Sequence, residues 1–190
     1  MSVIVKSIER NRGGPGGRGA GIDDFKDIFL NNGPGIKSIK IKSIKTQCGD
    51  VVYKLQFSYN IMIIDGESIV YEGQSFGQGY GGVDQALILD NNEQLTGING
   101  RYGFFDNYTV INYLEFQTSQ RNVSCGKYIA AGDTPFTLPA GVIYGFNGGY
   151  VDSIGTYVIE EAMQPITSIT DNCPKPPLVL ALSYYPTCNE

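Results

Sequence analysis

The chain has 190 residues and a formal net charge of −5, enough for one domain with its own core and too acidic for nucleic acid to be its main partner. It contains no histidine, which removes Ser-His-Asp and Cys-His nucleophile pairs and any histidine-bound metal at one stroke. No run of about 18 apolar residues occurs, so no membrane span is expected.

Glycine is abundant, and runs of Ile, Val, Tyr and Thr between the glycines argue for an all-β sandwich, barrel or prism. Residues 3–8 read as a short strand. The stretch Arg12-Gly13-Gly14-Pro15-Gly16-Gly17-Arg18-Gly19-Ala20-Gly21 is too rich in glycine for a regular element. Composition allows a flexible linker or a surface loop lending N–H groups to a ligand. A phosphate cradle is disfavoured, because no Gly-Lys-Ser/Thr follows.

Residues 36–45 alternate in part with period two and read as a strand with one face in the core. Their lysines, Lys37, Lys40, Lys42 and Lys45, would suit an acidic polymer. The favoured reading is a solvated strand face that discourages edge pairing. Cys48-Gly49-Asp50 turns the chain into a strand over 51–59, with Val51, Tyr53, Leu55, Phe57 and Tyr59 on one side. Further strands are expected at 61–64, 68–71 and 86–89. Between the last two lies a second glycine-rich loop, residues 73–82, which hints at an internal repeat.

Residues 93–100 give another strand and turn, and 108–119 a strand with Val110, Asn112, Leu114 and Phe116 on one side. Then two strand-like pieces, 142–146 and 154–159, flank Gly148-Gly149-Tyr150-Val151-Asp152. Here glycine permits a sharp bend and close approach to main-chain N–H groups, and the segment ends in a carboxylate. Donors and acceptors converging on one loop tip suit a neutral polyol such as a sugar. No stretch has the helical period for long enough to predict a helix.

Residues 162–190 carry five of the nine prolines and two of the four cysteines, and read as a C-terminal Cys/Pro-rich extension packed on a domain of residues 1–161. A Cys173–Cys188 bridge would close a loop of about fifteen residues, stabilising it by roughly 3 kcal/mol. Cys48–Cys125 would then staple two strand ends, although spacing alone does not fix the connectivity. Two glycosylation sequons, at Asn107 and Asn122, join the cysteines in pointing to an oxidising, extracellular setting. The first residues, Met1-Ser2-Val3-Ile4-Val5-Lys6, do not read as a signal peptide. Secretion is the expectation, with a cytosolic location the alternative.

Taken together, these segments stand in a familiar order. The chain resembles the jacalin-related lectins over residues 3–160. The resemblance is carried by Gly13-Gly14-Pro15-Gly16-Gly17, Cys48-Gly49-Asp50-Val51-Val52 and Glu93-Gln94-Leu95-Thr96-Gly97-Ile98-Asn99-Gly100. It continues through Leu114-Glu115-Phe116-Gln117, Gly132-Asp133-Thr134-Pro135-Phe136 and Gly145-Phe146-Asn147-Gly148-Gly149-Tyr150-Val151-Asp152. The resemblance implies a β-prism I fold, three antiparallel four-stranded sheets about a pseudo-threefold axis.

It also implies a mannose- or glucose-type sugar site at one end of the prism, needing neither metal nor other cofactor. Gly148 opens its Gly-x-x-x-Asp motif and Asp152 closes it, with Val151 just before. The Asp152 carboxylate would accept from two sugar hydroxyls, and the N–H groups of Gly149, Tyr150 and Gly17 would donate to sugar oxygens. The mannose/glucose type is preferred because residues 13–17 lie inside a continuous chain and not at a free amino terminus. The extra length of Arg18-Gly19-Ala20-Gly21 would alter linkage preference. Gly81-Gly82 matches the loop of a second site, but Tyr53 stands where that site needs Asp, so no second site of this type is expected.

A single shallow site binds weakly, so a homo-oligomer is expected, with glycans or glycoproteins as partners. Two other readings stay in view. One is a structural or matrix protein on a lectin scaffold, binding an acidic polymer or mineral. The other is a glycosidase, for which Asp23-Asp24, Asp50, Asp84 and Glu160-Glu161 supply carboxylates that nothing in the sequence sets across a cleft. No enzyme activity is expected.

Overall fold

A computed structural model describes residues 3–14, 21–79, 81–127 and 132–161. In chain order the elements are β1 (Val3–Gly13), β2 (Gly21–Asp23), α1 (Asp24–Asn32), a 3-10 turn (Gly33–Gly35), β3 (Ile36–Cys48), β4 (Val52–Ile63) and β5 (Ser68–Glu72). They continue with β6 (Val83–Ile88), β7 (Leu95–Phe105), β8 (Tyr108–Thr118), β9 (Asn122–Gly126), β10 (Thr134–Pro139), β11 (Val142–Asn147) and β12 (Val151–Glu161). They form three four-stranded sheets in the orders β1-β12-β11-β2, β10-β7-β8-β9 and β5-β4-β3-β6. Every pairing is antiparallel, as the sequence implied.

The sheets bury one face each on a shared core. Leu55, Phe57, Tyr59 and Ile61 of β4 are closed to solvent, as are Ile98 of β7, Ile111 and Leu114 of β8 and Ile154 of β12. Phe57 meets Phe116 edge-on at 6.2 Å, joining two sheets with the ring geometry aromatic pairs favour. The first and last described strands are neighbours, with Val3 opposite Glu161 and Gly13 opposite Ser153.

One sequence expectation needs correcting: there is a helix. Asp23 caps α1 by accepting from the Lys26 N–H at 2.9 Å, Asp24 and Asp27 lie in its first turn, and Gly33 ends it at φ +67°. These are ordinary start and stop signals, Asp before and Gly-Pro after. At nine residues the helix shows only two turns of apolar periodicity, in Phe25, Ile28 and Phe29, too few to stand out against the surrounding strands.

The helix carries a buried carboxyl into the core. Asp24 is closed to solvent, and its two oxygens accept from the Tyr59 hydroxyl at 2.8 Å and the Gln74 N–H at 3.2 Å. Tyr59 in turn accepts from the Ile143 N–H at 3.2 Å, so one chain of hydrogen bonds links α1, β4 and β11. Burial pushes the Asp24 pKa up to about 6, outweighing the two hydrogen bonds that favour its ionised form.

The lysine strand also differs from a plain alternating face. β3 slips register against β4 between Ile36 and Ser38 and again between Ile41 and Ser43. Only its second half, Ser43 to Cys48, is covered by β6. Cys48 at the end of β3 is disulfide-bonded to Cys125 of β9, with Cα atoms 5.5 Å apart. The bridge ties two sheets across 77 residues of chain, worth about 4.5 kcal/mol by loop-closure entropy. The Cys173–Cys188 expectation, with the packing of residues 162–190, lies outside the described residues.

Candidate functional site

Strand ends gather several loops at one end of the prism. β1 arrives there at Gly13, where φ is +128°. A side chain at that position would run into the Asp152 carbonyl. The Gly14 N–H donates to the same carbonyl at 2.9 Å, and a Cβ on Gly14 would strike the Thr109 carbonyl of β8. Two residues without side chains therefore let the chain wedge between β12 and β8, as close backbone approach requires. The first glycine run and the Gly-x-x-x-Asp segment lie near opposite ends of the fold in sequence, yet they share one corner of the molecule.

Within the segment, the Gly148 N–H donates to the Tyr150 carbonyl at 3.1 Å, and the Gln78 N–H approaches the Gly149 carbonyl at 3.4 Å. Neither the Gly149 N–H nor the Tyr150 N–H donates to another described residue. Open space surrounds the Cβ position of Gly149. Val151 lies in the core, with no surface open to solvent. Asp152 follows at the start of β12 and is only 5% exposed. The motif alone suggests a carboxylate displayed at a loop tip, whereas the residue is buried.

Aromatic side chains form a shelf beside this segment. The Tyr150 ring lies 5.5 Å from Phe105, edge to face, and 5.9 Å from Tyr53. Its hydroxyl donates to Asp106 at 3.2 Å. Loss of solvation, then that hydrogen bond, pushes the Tyr150 phenol above its ordinary value. Asp106 and Asn107 make the β7–β8 turn, both with positive φ (47° and 67°), and Phe104 and Tyr108 stand exposed on either side of it. The turn was not singled out from sequence. Its signal was present in Phe104-Phe105-Asp106-Asn107-Tyr108, an Asx pair between aromatic residues, which is hairpin chemistry.

The remaining sequence candidates fall as follows. Gly17 lies outside the described residues. Asn107 and Asn122 are both exposed, the first at the β7–β8 turn and the second opening β9. Gly82 packs over the Cys48 carbonyl and Gly49 against the Tyr53 ring. The second glycine loop thus meets its partner loop much as the first does, with Tyr53 at the position where a carboxylate would be needed.

The chain matches the profile of the Jacalin-like lectin domain over residues 10–157. It is 36% identical over 83 residues to a mannose/glucose-specific lectin from Parkia pendula, a match covering 40% of this chain and 18% of that much longer protein. Among solved structures, a mannose-specific jacalin-related lectin from Morus nigra, in complex with mannose, is similar with a TM-score of 0.56 and 27% identity. That likeness covers 78% of this chain and 91% of the other. A mannose-binding jacalin-related lectin from Ananas comosus shares the fold at a TM-score of 0.55 and 23% identity, over 81% and 99% of the two chains. With its three antiparallel sheets and the family profile spanning most of its length, this chain belongs to the jacalin-like lectin family.

Proposed function

We propose that the protein is a metal-independent, non-catalytic lectin for mannose- or glucose-type glycans. The observation that carries this is the meeting of Gly13-Gly14 with Asp152, beside two main-chain N–H groups that no described residue occupies. In this reading the Gly149 and Tyr150 N–H groups donate to ring and hydroxymethyl oxygens, and the Asp152 carboxylate accepts from two hydroxyls. Charge-assisted bonds to a carboxylate are about twice as strong as neutral ones, and burial strengthens them further. Tyr150 and its aromatic neighbours cover the apolar face of the sugar. The mannose/glucose specificity of the Parkia pendula lectin and the mannose specificity of the Morus nigra lectin support this choice of sugar.

A shallow polar pocket of this kind binds a monosaccharide in the millimolar range, about 4 kcal/mol. Avidity on a glycan surface then needs several sites held together, and we infer a homo-oligomer. The Cys48–Cys125 bridge and the two exposed sequons support secretion.

The test is retention on immobilised mannose, with and without a chelator. The parent protein is retained in both and is released by free mannose but not by free galactose. Asp152→Asn passes straight through while keeping the parent's circular dichroism and melting temperature. Retention of that variant, or loss of the parent on adding chelator, would overturn the assignment.

A further inference from the structure

The strands that end at Asp152 and Asp106 have their other ends at the opposite pole, where a cleft of about 380 Å³ opens. Ser38 to Lys42 of β3 line one side of it, and the loop from Leu89 to Leu95 another. The turn before β11 and the last residues of β12 complete it. None of the sugar-site residues takes part.

Its construction follows from the uneven pairing of β3. Because β6 pairs only with Ser43 to Cys48, no strand among the described residues covers that edge of the first half of β3. The Leu89 N–H does reach the Lys42 carbonyl at 3.0 Å, which closes one end of the gap. Peptide groups along the open edge are thus left facing the cleft. Below them the lining is apolar, with Ile39, Leu95, Val142 and Ile159.

The charges in the cleft are not balanced in the usual pairwise way. Glu93 accepts from the Thr118 hydroxyl at 2.7 Å and from Arg121 through two bonds of 3.0 Å, which together hold its carboxyl below the usual range. Glu160 is paired with Lys6 at 3.1 Å. Lys40 and Lys42, by contrast, have no carboxylate within ion-pair distance among the described residues. With two of the three acidic groups already engaged, the cleft offers two ammonium groups against the single carboxylate of Asp90. An apolar floor, a polar strand edge and a cationic rim match a ring that has an apolar face, several hydroxyls and one negative group.

We propose that this cleft is a second binding site, independent of Asp152, that takes an acidic sugar residue. The ring is a uronate or a sulfated hexose, its anionic group lies between Lys40 and Lys42, and its hydroxyls meet Ser38, Asn60 and Gln94. A neutral sugar gains nothing from the two lysines, so the two poles would read different parts of one glycan.

Sodium glucuronate, glucose 6-sulfate and mannose are titrated into the full chain by ¹⁵N-NMR, with Lys40→Ala/Lys42→Ala and Asp152→Asn run alongside. Glucuronate or glucose 6-sulfate, or both, should shift signals of β3 and of residues 89–95, more weakly as salt rises. The double lysine variant should lose about tenfold in affinity for the acidic sugar, two rim ion pairs' worth, and keep its mannose response unchanged. Lys40→Arg/Lys42→Arg should restore binding. Asp152→Asn should do the reverse, losing mannose and keeping the acidic sugar, so failure of one site is read separately from failure of the other. The proposal is overturned if neither acidic sugar gives a saturable shift, if mannose competes with them, or if the double alanine variant binds as tightly as the parent.

Discussion

Replacing Asp24 by asparagine tests the buried carboxyl that links α1 to two sheets. The unfolded chain ionises this group near 3.8 and the folded chain near 6, a difference of about 2 units. At about 1.36 kcal/mol per unit that is about 3 kcal/mol. The sign follows from which state holds the proton more firmly. The folded form does, so the contribution is fully present below about pH 3.8 and is lost as pH rises through 6. The amide of Asp24→Asn cannot ionise, so the difference in stability between parent and variant removes the pH dependence of every other group. Urea unfolding at about pH 4, 6 and 8 measures it. The parent should lose about 2.5 kcal/mol relative to the variant across that range. Parallel stability curves for the two proteins would refute the reasoning, since they would mean that the carboxyl stays charged, or stays hydrated, in the folded state.

Three further outcomes are expected. Gly13→Ala forces a side chain into the Asp152 carbonyl at a backbone angle L-residues avoid, and should cost about 2–3 kcal/mol in chemical denaturation and weaken mannose retention. Cys48→Ser/Cys125→Ser should lose up to about 4.5 kcal/mol, read in the same assay, and a reductant should then have no further effect on those two positions. Tyr150→Ala removes the centre of the aromatic shelf, and should weaken mannose binding by about tenfold in calorimetry with the fold retained.

The prism could be read from sequence because its signals are local and repeated. Strands with apolar alternation are separated by glycine runs, and the order of those runs matches a family pattern. The corner joining Gly13 to Asp152 was legible for the same reason, since both carry the family's motifs. Other features depend on what packs against what, and sequence spacing is silent about that. Asp24 reads as one of several scattered carboxylates, and only the meeting of Tyr59, Gln74 and Gly73 around it makes it a buried acid. Asp152 reads as a displayed carboxylate because its motif ends a loop, yet the close seat of Gly14 on its carbonyl belongs to a corner that leaves it 5% exposed. Lys40 and Lys42 read as a solvated face, because the length of β6, which decides what covers their strand, is set by a turn much later in the chain.

The pairing of Val3 with Glu161 has a practical consequence. Val3 and Glu161 lie side by side, at the pole opposite the Asp152 corner. A fluorescent protein, a second lectin copy or a surface linker joined directly to Val3 or to Glu161 would begin at that pole. Tandem arrays built that way would keep every Asp152 corner turned away from the junction, and the number of such corners could be set by counting copies.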